Sequence, residues 1–168
     1  FDIETNSIVF PQLQQWFMDQ FKVRKLTVDL DSTVITRYGE QEGSTVGYNP
    51  KKKGRKSHHP LMAFIDQTKM VANAWLRAGN TADTNNYESF LEETFDTVLK
   101  NKDIGLVRAD SGFYSDKFLS WFERRELNYI IAVKFYENFK YEISAIDDWS
   151  YITKGLDVAE LYFKPNNS

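Results

Sequence analysis

Cysteine is absent from the 168 residues, which excludes disulfides, thiol catalysis and cysteine-ligated structural zinc. Long hydrophobic runs are absent too: nothing approaches the roughly 20 apolar residues that cross a bilayer. The first residues lack the basic-then-apolar pattern of a secretory signal. A cytoplasmic protein without a membrane partner is therefore expected, and a start on Phe1 suggests a piece of something longer. Proline and glycine are sparse, at four and eight, yet Gly39, Gly43, Gly47, Pro50 and Gly54 all crowd into residues 35–59. That stretch reads as a long loop, and such loops in compact domains are functional or mobile.

What is present is an ordinary globular composition, 42% hydrophobic and 27% charged, in a chain the size of one domain. The net charge of −3 conceals an asymmetry: Lys51, Lys52, Lys53, Arg55 and Lys56 form a block without an acid, and subtracting their five charges leaves −8 elsewhere. A concentrated basic loop on an acidic body suits a polyanion. If all five cations met duplex phosphates, raising salt from 50 to 200 mM would weaken binding roughly 500-fold. The plainer alternative is a loop that is merely solvated.

Hydrophobic periodicity orders the rest. Leu13, Trp16, Phe17 and Phe21 have helical spacing, so residues 1–24 are expected to hold a helix with Trp16 on its buried face. Residues 25–34 alternate cleanly, with Leu26, Val28 and Leu30 on one face and Thr27, Asp29 and Asp31 on the other, as a strand does. Residues 61–66 and 70–77 read as a hairpin around Gln67, Thr68 and Lys69, and residues 83–100 as a helix capped by Thr81 or Asp83. Residues 104–109 form a short buried strand ending at Asp110. Ser115 then caps a helix to about Glu126, and residues 129–135 form a further strand. The 18 residues between Asp110 and Tyr129 suffice for a right-handed parallel crossover. Residues 141–146 and 158–163 read as weaker strands. A hairpin-bearing start followed by alternating helix and parallel strand is the order of an RNase H-like α/β fold: a mixed sheet with helices on both faces, plus extra C-terminal strands.

Asp31 and Asp110 each sit where a strand ends, followed by Ser32-Thr33 and Ser111-Gly112. Ligands of open α/β sheets gather at strand ends. On adjacent strands these carboxylates would converge, and at 4 Å with an effective dielectric of 20 their repulsion is roughly 4 kcal/mol. A hard divalent cation relieves it, and paired cations are how many nucleases and polymerases drive attack at phosphorus. Asp29, deeper in the strand, is placed to orient those ligands from behind. Asp66, Asp83 and Asp116 read as turn or cap residues, Trp75 and Trp121 as buried ones, and His58 and His59 as core or surface histidines. Asp-Ser-Thr and Asp-Ser-Gly are also common turn sequences, so spacing alone leaves the metal reading open.

Four segments together resemble a known family: LTVDLDSTV (26–34), YGEQEGSTVGYNPKKKGRKSHHPLMAF (38–64), LRAGNT (76–81) and VRADSGFYS (107–115). Over residues 25–135 they are similar to DDE transposases of bacterial insertion sequences, in the branch described as transposase DDE domain group 1. The resemblance implies a nucleoid-associated bacterial enzyme, commonly a homodimer on paired DNA ends, that cuts transposon ends and joins a 3′-hydroxyl to target DNA with Mg²⁺ or Mn²⁺. It implies Asp31 as the first catalytic, metal-holding carboxylate and Asp110 as the second. The family's third, a Glu on a later helix within a Tyr, Arg, Glu, Lys-type pattern, has no match; Glu142 and Glu160 fall in strand-like stretches. The organisation implied is a helical segment at 1–24, a catalytic core at 25–136, and at 137–168 the start of a β-rich insertion that ends before that Glu. Such a fragment is expected to be inactive. The alternatives are an RNase H-like nuclease without strand transfer and a non-catalytic DNA-binding remnant.

Overall fold

A computed structural model describes residues 3–23, 25–81 and 86–162. It divides into two compact units, residues 1–132 and 133–168. The first opens with helix α1 (Ile3–Asp19) and strand β1 (Lys25–Ser32), then three short strands, β2 (Ile35–Thr36), β3 (Thr45–Val46) and β4 (Lys56–His58). The hairpin β5 (Leu61–Ile65) and β6 (Met70–Trp75) follows, then α2 (Tyr87–Glu92), which continues as a π-helix over Glu93–Val98. Strand β7 (Asp103–Ala109), a 3₁₀ turn (Ser111–Phe113), α3 (Asp116–Arg124) and β8 (Tyr129–Ile131) complete it.

Five strands form one mixed sheet in the order β6-β5-β1-β7-β8. The hairpin is antiparallel to β1, whereas β7 and β8 run parallel to it. The expected alternation in β1 holds: Leu26, Val28 and Leu30 are buried. Val28 pairs with Ile65 on one side and Val107 on the other, so this face is continuous across three strands. Against it pack Tyr87, Phe90 and Leu91 of α2, Phe95 and Val98 of the π-helix, and Phe118, Trp121 and Phe122 of α3. Phe122 is fully buried, with ring centroids 4.8 Å from Phe118, 5.2 Å from Trp121 and 5.7 Å from Tyr129.

Helix α1 departs from expectation. Trp16 is 62% exposed, and Phe10, Leu13 and Phe17 also face outward; the buried residues are Pro11 and Met18. The helix is apolar on two sides, so periodicity locates it without choosing the inward side. Phe122→Ala is therefore expected to cost about 3–5 kcal/mol in denaturant unfolding, and Trp16→Ala within about 0.5 kcal/mol.

Four other expectations change. The helix expected at 83–100 begins at Tyr87, after Asn86 in the left-handed region; Asp83 lies outside the described residues. The strand at 129–135 keeps only Tyr129–Ile131, three residues that pair with β7. In the second unit, residues 141–146 are not a strand but mostly the end of helix α4 (Glu137–Ser144). Alternating Phe139, Tyr141 and Ile143 mimic a strand, but Lys140 bonds Glu137 at 2.5 Å across one helical turn. The unit's hairpin is β9 (Ser150–Thr153) with β10 (Leu156–Val158), turning at Gly155 with φ +81°, so the strand expected over 158–163 lies earlier. Among the described residues no helix is long and apolar enough to cross a membrane.

Candidate metal centre and nucleic-acid interface

The polar face of β1 opens into a cleft of about 530 Å³, lined in part by Asp29, Asp31, Asp66, Lys69, Arg108 and Asp110. Register explains the gathering. Asp29 pairs with Arg108 and Leu30 with Ala109, so Asp31 and Asp110 come next on neighbouring parallel strands, on the same face as the Asp29–Arg108 pair. The strand β7 stops at Ala109, and Asp110 turns the chain: its carboxylate accepts from the Gly112 N–H at 2.9 Å as cap of the 3₁₀ turn. Both acids sit at strand ends, as the sequence places them.

Arg108 is the residue that sequence reading passes over. Its Nε donates to Asp29 Oδ1 at 2.6 Å and its Nη2 to Asp29 Oδ2 at 2.7 Å, a two-pronged pairing. The same Nη2 lies 3.2 Å from Asp66 Oδ1, which also takes Lys69 Nζ at 2.6 Å. Lys69 holds φ +56° at the hairpin tip. Asp66 is thus a partner in an ion-pair chain and more than a turn residue. A usable signal exists in the sequence: the spacing Asp29-x-Asp31 matches Arg108-x-Asp110, so aligning the two terminal acids sets Asp29 against Arg108.

These contacts leave chemical marks. The hydrogen bonds to Asp29, then the charge of that carboxylate, push the Arg108 pKa upward. The hydrogen bond from Lys69, with smaller help from both cations' charge and against some desolvation, holds Asp66 below its ordinary 3.8. A lowered carboxyl pKa means stability that is present above the ordinary value and lost as pH falls through the folded value. Asp66→Asn should accordingly flatten the fall of Tm below about pH 4 relative to the unsubstituted chain, as read by thermal melts across pH.

Of the four carboxylates in the cleft, Asp29 and Asp66 are matched by Arg108 and Lys69, while Asp31 and Asp110 take no ion-pair partner among the described residues. An all-oxygen pair with an excess of two negative charges fits Mg²⁺ or Mn²⁺ and suits no softer metal. Among the described residues no group of three or more His, Cys, Asp or Glu is arranged to hold a metal. Glu142 lies on α4 of the second unit, not in a strand, which removes that objection to it. Its helix carries no arginine, so the family's pattern stays unmatched.

The stretch expected as one long loop, residues 35–59, carries three short strands, but the basic block still lies on the connection between β3 and β4, with only Lys56 in a strand. Strands β2 and β3 flank β4, with Thr36 and Thr45 both opposite Ser57, and Lys51, Lys52, Lys53 and Arg55 project from the turn between β3 and β4. Buried Asn49 donates to Thr36 Oγ1 at 2.9 Å and accepts from the Lys52 N–H at 2.9 Å, bracing that turn. A Cβ on Gly47 would lie 1.9 Å from the Gly79 carbonyl oxygen, so the platform packs backbone on backbone. His58, 4% exposed, accepts from Arg37 Nε at Nδ1 (2.8 Å) and therefore donates from Nε2 to the Glu42 carbonyl (3.0 Å). His59 is buried with Nδ1 3.1 Å from the Thr81 carbonyl. Both histidines are thus structural. Lys56 is paired with Glu40, and Lys52 and Arg55 lie over the exposed Tyr38 ring at 4.7 and 5.8 Å.

Strand order, crossover and terminal carboxylates define an RNase H-like α/β domain. The family profile described as transposase DDE domain group 1 matches residues 5–152, and the chain belongs to that family. Among solved structures, it is similar to piggyBac transposase in a synaptic complex with hairpin DNA, with a TM-score of 0.50 and 14% identity over 77% of this chain and 29% of that one. That likeness shows the shared fold, and this chain spans less than a third of that neighbour. No curated protein matches.

Proposed function

We propose that this chain is part of the catalytic core of a DNA transposase that cuts and joins strands by metal-dependent phosphoryl transfer. The observation that carries the reading is the arrival of Asp31 and Asp110 at adjacent strand ends in one cleft, free of the ion pairs that occupy Asp29 and Asp66. Asp31 and Asp110 would hold Mg²⁺ or Mn²⁺, which, when bound, supplies Lewis acidity at phosphorus and lowers the pKa of an attacking hydroxyl. Asp29 and Arg108 keep the two strands in register behind them. Lys51, Lys52, Lys53 and Arg55, with Lys56 beside them, lie along DNA phosphates and set register without reading bases. DNA ends are the partner, held by a homodimer in a bacterial cytoplasm as part of an insertion sequence. The family's third carboxylate has no match by motif among these residues, and with Asp31 and Asp110 as its two assigned carboxylates the chain is expected to cut little or no DNA.

The test uses a full-length protein carrying this domain and a labelled transposon end with a free 3′-hydroxyl. Covalent joining of the label to a target plasmid, dependent on Mg²⁺ or Mn²⁺, is expected. Hydrolysis without joining would identify an RNase H-like nuclease instead, and binding without either would leave a DNA-binding remnant.

A further inference from the structure

We infer that Arg108 is a positioning residue that selects between the two carboxylates of β1, holding Asp29 out of the metal's reach so that Asp31 and Asp110 alone present ligands. The inference rests on the ligand reading of Asp31 and Asp110 proposed above.

Asp29 and Asp31 are two residues apart on one strand and so point into the same cleft. Nothing in residue type distinguishes them as oxygen donors. The difference lies across the strand. Opposite Asp29 stands Arg108, whose fork engages both of its oxygens at 2.6 and 2.7 Å. A carboxylate with both oxygens committed to a guanidinium has its best lone pairs occupied, and a cation approaching it meets a fixed positive charge. One residue beyond the last pair, Leu30 and Ala109, come Asp31 and Asp110, so the next same-face position meets an acid. The alternation Arg108-x-Asp110 therefore imprints a paired site and an unpaired site on Asp29-x-Asp31.

Asp66 completes the device. Its Oδ1 lies 3.2 Å from Arg108 Nη2, the nitrogen that also meets Asp29, and Lys69 holds Asp66 in turn. The fork is thus anchored from β5's end of the cleft and cannot swing toward Asp31 without leaving two partners. An arginine serving only to fix strand register would need no second carboxylate beside the nitrogen that already meets Asp29.

The experiment is a titration with Mn²⁺ alone, following free Mn²⁺ by electron paramagnetic resonance, on the whole 168-residue chain. Arg108→Met is expected to bind Mn²⁺ at least fivefold more tightly, or to take up a second ion, because Asp29 becomes a ligand. Adding Asp29→Asn to that variant should return affinity to within twofold of the unsubstituted chain. Adding Asp66→Asn instead restores the same net charge but leaves Asp29 free, so binding should stay tight. Weaker binding by Arg108→Met, or equal relaxation by the two double variants, overturns the inference, the latter because only the cleft's net field would then matter. Should Arg108→Met fail to fold, Asp29→Asn alone decides: affinity within twofold is expected, and a tenfold loss would make Asp29 a ligand already. Asp31→Asn separates the two layers. If it leaves Mn²⁺ binding intact, the ligand reading itself fails; if it abolishes binding while Arg108→Met does not tighten it, only the selection by Arg108 fails.

Discussion

Asp31→Asn and Asp110→Asn should each weaken Mn²⁺ binding at least tenfold while leaving the melting temperature of the metal-free chain unchanged or slightly higher. Each substitution keeps side-chain size and removes one of two anionic ligands, so the loss falls on the ion and not on the fold. The sign of the stability change follows from the cleft. Asp31 and Asp110 are the cleft's two acids without an ion-pair partner among the described residues, so removing one charge relieves like-charge repulsion between them. Asp110 also caps the turn at Gly112, a contact that Asn preserves because its carbonyl oxygen accepts equally well. In a full-length transposase carrying this domain the same substitutions should remove most strand joining, because the ion that neutralises charge on the transferring phosphoryl group is no longer held. A variant that binds Mn²⁺ normally yet fails to join would move Asp31 or Asp110 out of the ligand set. Circular-dichroism melts and the Mn²⁺ titration check both halves.

DNA binding by this chain should fall about 150-fold between 50 and 200 mM salt. The figure is smaller than a count of the five cations gives, because Lys56 is already paired with Glu40 and four charges remain to displace counterions. Replacing Lys51, Lys52, Lys53 and Arg55 by Gln should flatten the slope of log affinity against log salt by about 3.6 and leave little binding at 200 mM. The braced turn sharpens the expectation. Asn49 ties the base of the turn to Thr36, so the cations sit on a platform and lose little entropy on meeting phosphates. Fluorescence anisotropy with a labelled duplex across salt measures the slope. An unchanged slope in the fourfold variant would place DNA elsewhere on the molecule.

What the sequence makes legible is what local pattern encodes. Alternation in β1 identifies the inward face, and the ends of β1 and β7 mark Asp31 and Asp110, since a strand buried on one side must stop where polar turn residues begin. The three-stranded platform is not legible, because β2 and β3 are two residues each and acquire meaning only by pairing with β4. Five glycines and prolines read as breakers, whereas Gly47 serves close packing against Gly79. The side of α1 that faces the core is decided by what it packs on, and residues 141–146 alternate like a strand inside a helix. Arg108 illustrates the same limit at the site: its partner Asp29 is 79 residues away, and only strand register brings the two charges together.

The most direct test of the account is an anomalous-scattering map from crystals of this chain soaked in Mn²⁺. The expected peak is bound by carboxylate oxygens of Asp31 and Asp110 at about 2.0–2.2 Å, with Arg108 still on Asp29. A manganese ion held by Asp29 or Asp66, or crystals that bind Mn²⁺ only outside this cleft, would contradict a metal centre built on Asp31 and Asp110.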